Sequence, residues 1–174
     1  MEKELIARAL KNGLTEDEAK WYLLSLELNI KSRDAESIAV SIFNDEITAS
    51  ESGENNAFAK FKKKKQRIPE KAVALIAALR KAKEAALKHK DVEDGGTCNF
   101  DTPIIRLERW QEKTVKIICK IAGLDCSKWE GHYMNYHILG GCYGQANRRT
   151  DMAEAFAKSL ENDGYEASVW YAID

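Results

Sequence analysis

The stretch Gly140-Gly141-Cys142-Tyr143-Gly144-Gln145-Ala146-Asn147-Arg148-Arg149-Thr150 gathers residue types that hold anions. Glycines let backbone amides approach a negative group closely, and a helix start offers unpaired N–H groups with partial positive charge. Arg148 and Arg149 add forked donors suited to phosphate or carboxylate. Gly141, Gly144, Asn147, Arg148, Arg149 and Thr150 are therefore the candidate anion-binding residues. The stretch is not a Walker A loop, because no Gly-Lys-Ser/Thr closes it, and it lacks the dinucleotide fingerprint. The plain alternative is a turn leading into a helix capped at Thr150, with two surface arginines.

A second polar cluster, Asp94-Gly95-Gly96-Thr97-Cys98-Asn99-Phe100-Asp101-Thr102-Pro103, reads as a fixed, hydrogen-bonded loop. Cys98 would become a nucleophile if His132 or His137 came within reach, with Asn99 or Asp101 as orienter. Nothing in the spacing requires this, and an unused cysteine is the favoured reading, so Cys98, Asn99 and Asp101 mark a loop of unassigned role. If the connections that follow make parallel strands, this loop lies at the opposite end of the unit from Gly140–Arg149. His132 and His137 are five apart on an expected strand and so face opposite sides. No Cys-x-x-Cys pair occurs among Cys98, Cys119, Cys126 and Cys142. No metal or cofactor is expected, and no complete acid–base constellation emerges, which favours a binding protein over an enzyme.

The third cluster is basic. Lys60, Lys62, Lys63, Lys64, Lys65 and Arg67 could neutralise nucleic-acid phosphates, with Phe58 and Phe61 placed to stack on unpaired bases. A solvated linker explains the same composition equally well.

These clusters sit on a chain of 174 residues, enough for one ordinary domain or a small domain with an appended one. A net charge of -1 excludes a uniformly basic nucleic-acid binder, but the charge is unevenly laid out. Residues 1–56 hold 6 basic and 12 acidic residues, residues 57–90 hold 12 basic and 2 acidic, and residues 91–174 hold 9 and 14. No secretory signal opens the sequence and no apolar run reaches the ~20 residues of a membrane span. A cytoplasmic protein without membrane contact is expected, its thiols reduced.

Periodicity divides the chain into four parts. Residues 1–47 form an acidic three-helix unit, with Thr15-Glu16-Asp17-Glu18 at capping-box spacing and Ala35, Ile38, Ala39, Ile42 and Phe43 as the third helix's apolar face. Residues 48–68 form a polar, then basic, linker. Residues 69–90 form a long amphipathic helix, apolar along Ala72, Leu75, Ile76, Leu79, Ala82 and Ala86 and basic at Arg80, Lys81, Lys83, Lys88 and Lys90. Residues 91–174 form a β-α-β-α-β unit, with strands at Thr102–Leu107, His132–Leu139 and Ala167 onward. The fold class is α+β, or a small α/β. Trp170 alternates away from the apolar face of the closing strand and is a candidate for a contact surface.

Asp94-Gly95-Gly96-Thr97-Cys98-Asn99-Phe100-Asp101, then Asn147-Arg148-Arg149-Thr150, then Gly164-Tyr165 with Tyr171 and Asp174, resemble a small domain of accessory proteins from Gram-positive phages and conjugative elements. Some of those proteins are anti-CRISPR inhibitors. The resemblance covers about the last 80 residues and brings no catalytic assignment. It implies a mobile-element anti-defence protein that binds a type II CRISPR effector nuclease, its guide RNA, or both. Acidic helices would compete for a basic nucleic-acid channel while the basic segment holds phosphates. Two other classes stay open: a phosphate- or nucleotide-binding enzyme using Gly140–Thr150, and a non-specific nucleic-acid-binding accessory protein using residues 58–67. Oligomeric state cannot be read from these residues.

Overall fold

The computed structural model describes residues 2–30, 34–51, 68–129 and 135–172. The basic run Lys60–Lys65, Arg67 and His132 lie outside them. The chain divides into two compact units, up to Glu70 and from Lys71.

The first unit packs α1 (Glu2–Lys11), α2 (Glu16–Asn29) and α3 (Ala35–Glu51). The capping box forms as its spacing predicts: the Glu18 amide donates to Thr15 Oγ1 at 3.2 Å and the Thr15 amide donates to Glu18 Oε2 at 2.9 Å. These bonds satisfy two of the donors that every helix start leaves open. Leu5, Ala9, Ala19, Tyr22, Leu23, Phe43 and Ile47 make the core. The α3 face differs from expectation: Ala39, Phe43 and Ile47 are buried, whereas Ile38 and Ile42 are 39% and 37% exposed. Two apolar ladders run side by side on this helix, and the one that continues to Ile47 meets α1 and α2. The helix also runs through Thr48–Glu51, where a loop was expected.

Tyr22 stacks obliquely on Phe43, ring centres 5.6 Å apart, and its hydroxyl donates to Glu46. Burial, with Glu46 beside it, holds the phenol well above its ordinary value of 10.0. A folded pKa above the unfolded one contributes stability that is intact below about pH 10 and lost as pH rises further. Melting temperature is expected to fall above about pH 10 in the native sequence, and Tyr22→Phe is expected to flatten that part of the profile. An unchanged alkaline slope in Tyr22→Phe would count against this burial.

The second unit contains α4 (Glu70–Leu87), β1 (Thr102–Arg106), α5 (Glu112–Ile121), β2 (Asp125–Lys128), β3 (Asn135–Leu139), α6 (Ala146–Asn162) and β4 (Ala167–Trp170). The order is therefore β-α-β-β-α-β after α4, one strand more than the sequence suggested. The sheet runs β2-β3-β1-β4, and every neighbouring pair is antiparallel. The two β-α-β crossovers interleave, so each pair of strands they relate is separated by another strand, the split β-α-β connectivity. The unit is thus α+β.

Ile105, Tyr136 and Ile138 are buried on the side facing α5 and α6. The apolar stripe of α4 is buried as its periodicity predicts. Its basic residues mostly meet helix C-termini, where unpaired carbonyls concentrate negative charge. Arg80 Nη2 donates to Ile121 O at 3.0 Å, and Lys83 Nζ donates to Gly123 O at 2.7 Å, both at the end of α5. Lys81 pairs with Asp163, the C-cap of α6, at 2.5 Å. Much of this helix's charge therefore holds the unit together.

Among the described residues no helix is long and apolar enough to cross a membrane.

Candidate functional site

Antiparallel pairing brings together the two polar loops that parallel strands would have separated. The Asp94–Asp101 segment meets the start of α6 in a continuous set of hydrogen bonds. Asp94 Oδ1 accepts from the Gln145 amide at 2.8 Å, and Asp94 Oδ2 lies 3.3 Å from Arg148 Nη1. Gly95 O accepts from the Asn147 amide at 3.3 Å. Arg148 Nε donates to Val92 O at 2.8 Å and Arg149 Nε to Asp101 O at 3.0 Å. The Arg149 guanidinium also lies 5.9 Å from the centre of the Phe100 ring.

The anion that this helix start meets is thus the chain's own Asp94 carboxylate, which supplies negative charge where the amides and the helix dipole favour it. Of the six candidate anion-binding residues, Asn147, Arg148 and Arg149 are bound to the Val92–Asp101 backbone and to Asp94. Gly141 and Gly144 are tight-packing positions. A Cβ on Gly141 would lie 2.8 Å from the Phe156 ring, and one on Gly144 would lie 2.7 Å from Arg148 Cδ.

Thr150 is not the cap. The helix begins at Ala146 with Gln145 as N-cap, so Thr150 stands one turn inside. There it donates to Asp101 Oδ2 at 2.6 Å and accepts from Asn99 Nδ2 at 2.8 Å. Asp101, 3% exposed, also accepts from Asn99 Nδ2 at 2.7 Å and, through Oδ1, from the Ala172 amide at 3.1 Å. One carboxylate therefore joins the polar loop, α6 and the chain beyond β4. Asn99 Oδ1 is buried without a hydrogen-bond partner, alone in this among the described side-chain polar atoms.

The backbone carries strain at the same junction. Ala146 has φ 46°, a left-handed conformation that costs an L-residue about 1–2 kcal/mol, and the Cβ that Gly96 lacks would lie 3.2 Å from its methyl group. Ala146→Gly is expected to stabilise the unit by about 1 kcal/mol, read as a higher urea midpoint at unchanged slope. A lower midpoint would show that the Ala146 methyl contributes more by packing than it costs in conformation.

Among the described residues the nucleophile constellation does not assemble, and His132, one of its two candidate bases, lies outside them. Cys98 is exposed, Asn99 and Asp101 are committed to Thr150 and Ala172, and no hydrogen bond joins either to Cys98. His137 stands elsewhere, on the sheet face opposite α5 and α6. There it lies edge-on between Trp129 and Trp170, with ring centres 5.3 and 5.2 Å away. Burial holds its imidazole below the ordinary histidine range, favouring the neutral ring. Cys119 and Cys126 are buried against each other between α5 and β2, and the hydrogen-bonding contact with Cys126, followed by burial, pushes the Cys119 thiol up. Cys142, half-covered, is pushed up to about 12 by burial.

The aromatic row went unread in the sequence except for Trp170, because Trp129 and His137 are separated there by a hairpin. The first unit carries a groove of about 430 Å³ between α1 and α3, lined in part by Glu4, Arg8, Ser37, Ser41 and Asn44. Its α3 wall belongs to a helix with Glu36, Asp45, Glu46 and Glu51 and no lysine or arginine. No protein family, curated protein or solved structure matches the chain.

Proposed function

We propose that this protein acts by binding rather than by catalysis, and that it is an anti-defence inhibitor directed at a type II RNA-guided nuclease or its guide-RNA complex. The observation that carries the binding reading is the junction of Asp94–Asp101 with α6. Asp94 pairs with Arg148, Arg149 donates to the Asp101 carbonyl, and the Asp101 carboxylate accepts from Thr150, Asn99 and the Ala172 amide. Such a junction is a scaffold, and it weakens the reading as a phosphate- or nucleotide-using enzyme. The choice of target rests on the resemblance of the C-terminal region and on charge. An acidic helical unit, whose α3 carries carboxylates and no lysine or arginine, complements the basic channel in which such nucleases hold nucleic acid.

The test is native-gel migration of the purified chain with a type II effector, with and without guide RNA, beside a DNA-cleavage assay. A guide-independent complex and loss of cleavage are expected. Cleavage unchanged at saturating protein, with no comigration, would sink the proposal.

A second reading, single-stranded nucleic-acid binding, is favoured by the Trp129–His137–Trp170 row, since aromatic rings on a sheet face stack with unpaired bases. A salt-sensitive shift of guide RNA alone, reduced about tenfold by Trp170→Ala, would favour it.

A further inference from the structure

The β4 edge of the sheet is a self-complementary surface, and we propose that two copies of this chain associate by antiparallel pairing of their β4 strands. The β1–β4 register pairs Ile104 with Ser168 and Thr102 with Trp170. At its two ends the Arg106 amide donates to Glu166 O and the Phe100 amide to Ala172 O. Alternate residues of an antiparallel strand point their backbone groups the same way. Glu166, Ser168, Trp170 and Ala172 therefore bond inward to β1, and Ala167, Val169 and Tyr171 direct their N–H and C=O groups outward, where β4 ends the sheet. The opposite edge, β2, carries Asp125 and Lys128, charges of the kind that blunt an edge. Strand β4 reads Ala-Ser-Val-Trp, with neither a charge nor a proline. Trp170 and Tyr171 beside it are 37% and 58% exposed.

The side-chain sizes select a second copy as the occupant. With Val169 on the two-fold axis, Trp170 stands opposite Ser168 of the other copy, and Tyr171 opposite Ala167. Each large side chain meets a small one, and Glu166 meets Ala172, so no like charges oppose each other. The outward residues 167, 169 and 171 fall at the hydrogen-bonded positions of this register. Ser168 and Trp170 fall at the closer, non-bonded positions, where packing is tightest. The pairing would make one continuous eight-stranded sheet from two four-stranded ones.

Sedimentation equilibrium of the full chain over about three decades of concentration tests this, because a short interface of this kind is weak and its dimer fraction rises with concentration. A doubling of mass is expected, with the amides of Ala167, Val169 and Tyr171 slowing in hydrogen exchange as the dimer forms. Val169→Pro removes one outward N–H and no bond of the existing sheet, and Ser168→Lys places a charge opposite Trp170. Each is expected to weaken association at least tenfold with far-UV circular dichroism unchanged. If Val169→Pro disturbs the fold, Ser168→Lys alone decides. A monomer at every concentration, or a dimer that a folded Ser168→Lys variant leaves intact, overturns the proposal.

Discussion

Asp101→Ala is expected to destabilise the second unit by about 3–4 kcal/mol, the largest effect of any single polar substitution in the chain. The carboxylate receives the Thr150 hydroxyl, the Asn99 amide and the Ala172 N–H while almost fully buried. Hydrogen bonds to a charged group contribute about 1.5–3 kcal/mol each, and removing the shared acceptor strands several donors at once. The effects are not additive, because the donors relax together, hence a figure well below three times the single-bond value. Asp101→Asn keeps the shape but turns an amide N–H₂ toward donors, and should lose about half as much. Urea unfolding followed by circular dichroism measures both. A loss below about 1 kcal/mol for Asp101→Ala would mean that water substitutes for the carboxylate and that the junction is looser than described.

Gly144→Ala should follow closely, at about 3 kcal/mol. Its φ of 84° alone costs an L-residue about 1–2 kcal/mol. The added methyl would also lie 2.7 Å from Arg148 Cδ and 3.0 Å from Asp94 Oδ1, so it pushes on the pair that closes the start of α6. Gly164→Ala is the matched control: φ is 87°, with nothing within 4 Å of the added atom. That variant should show the conformational cost alone. The difference between the two reports the packing around Arg148 and Asp94. Equal losses would show that Arg148 swings aside freely.

Local signals were legible in the sequence. The Thr15–Glu18 box, the stripe of α4 and the Asp163-Gly164 stop of α6 each depend on residues within a few positions of one another, and each forms as read. Strand β2 was not legible, because Asp-Cys-Ser-Lys lacks the β-branched and aromatic residues that mark a strand; it exists through pairing with β3. Missing it removed the hairpin, and with it the antiparallel sheet. The loop junction then became invisible, since Asp94 and Gln145 are 51 residues apart and only the sheet order unites them. The candidate anion-binding residues were chosen for a helix start rich in donors, and no local pattern shows that Asp94 lies against it. The rotation of α3 escaped for a related reason: two equivalent apolar ladders differ only in what packs against them.

The Asp101 junction also orders events in time. Its two α6 and β4-side partners lie 49 and 71 residues further along the chain. On a translating ribosome, the Asp94–Asp101 loop emerges with its donors and acceptors unanswered, and it stays so until residues up to Ala172 have been made. The acidic three-helix unit, whose core closes within its first 47 residues, has no such delay. Synthesis should therefore pass through a stage in which the helical unit is already shaped and the sheet-bearing one is still an open chain, the interval in which a chaperone or protease would find it.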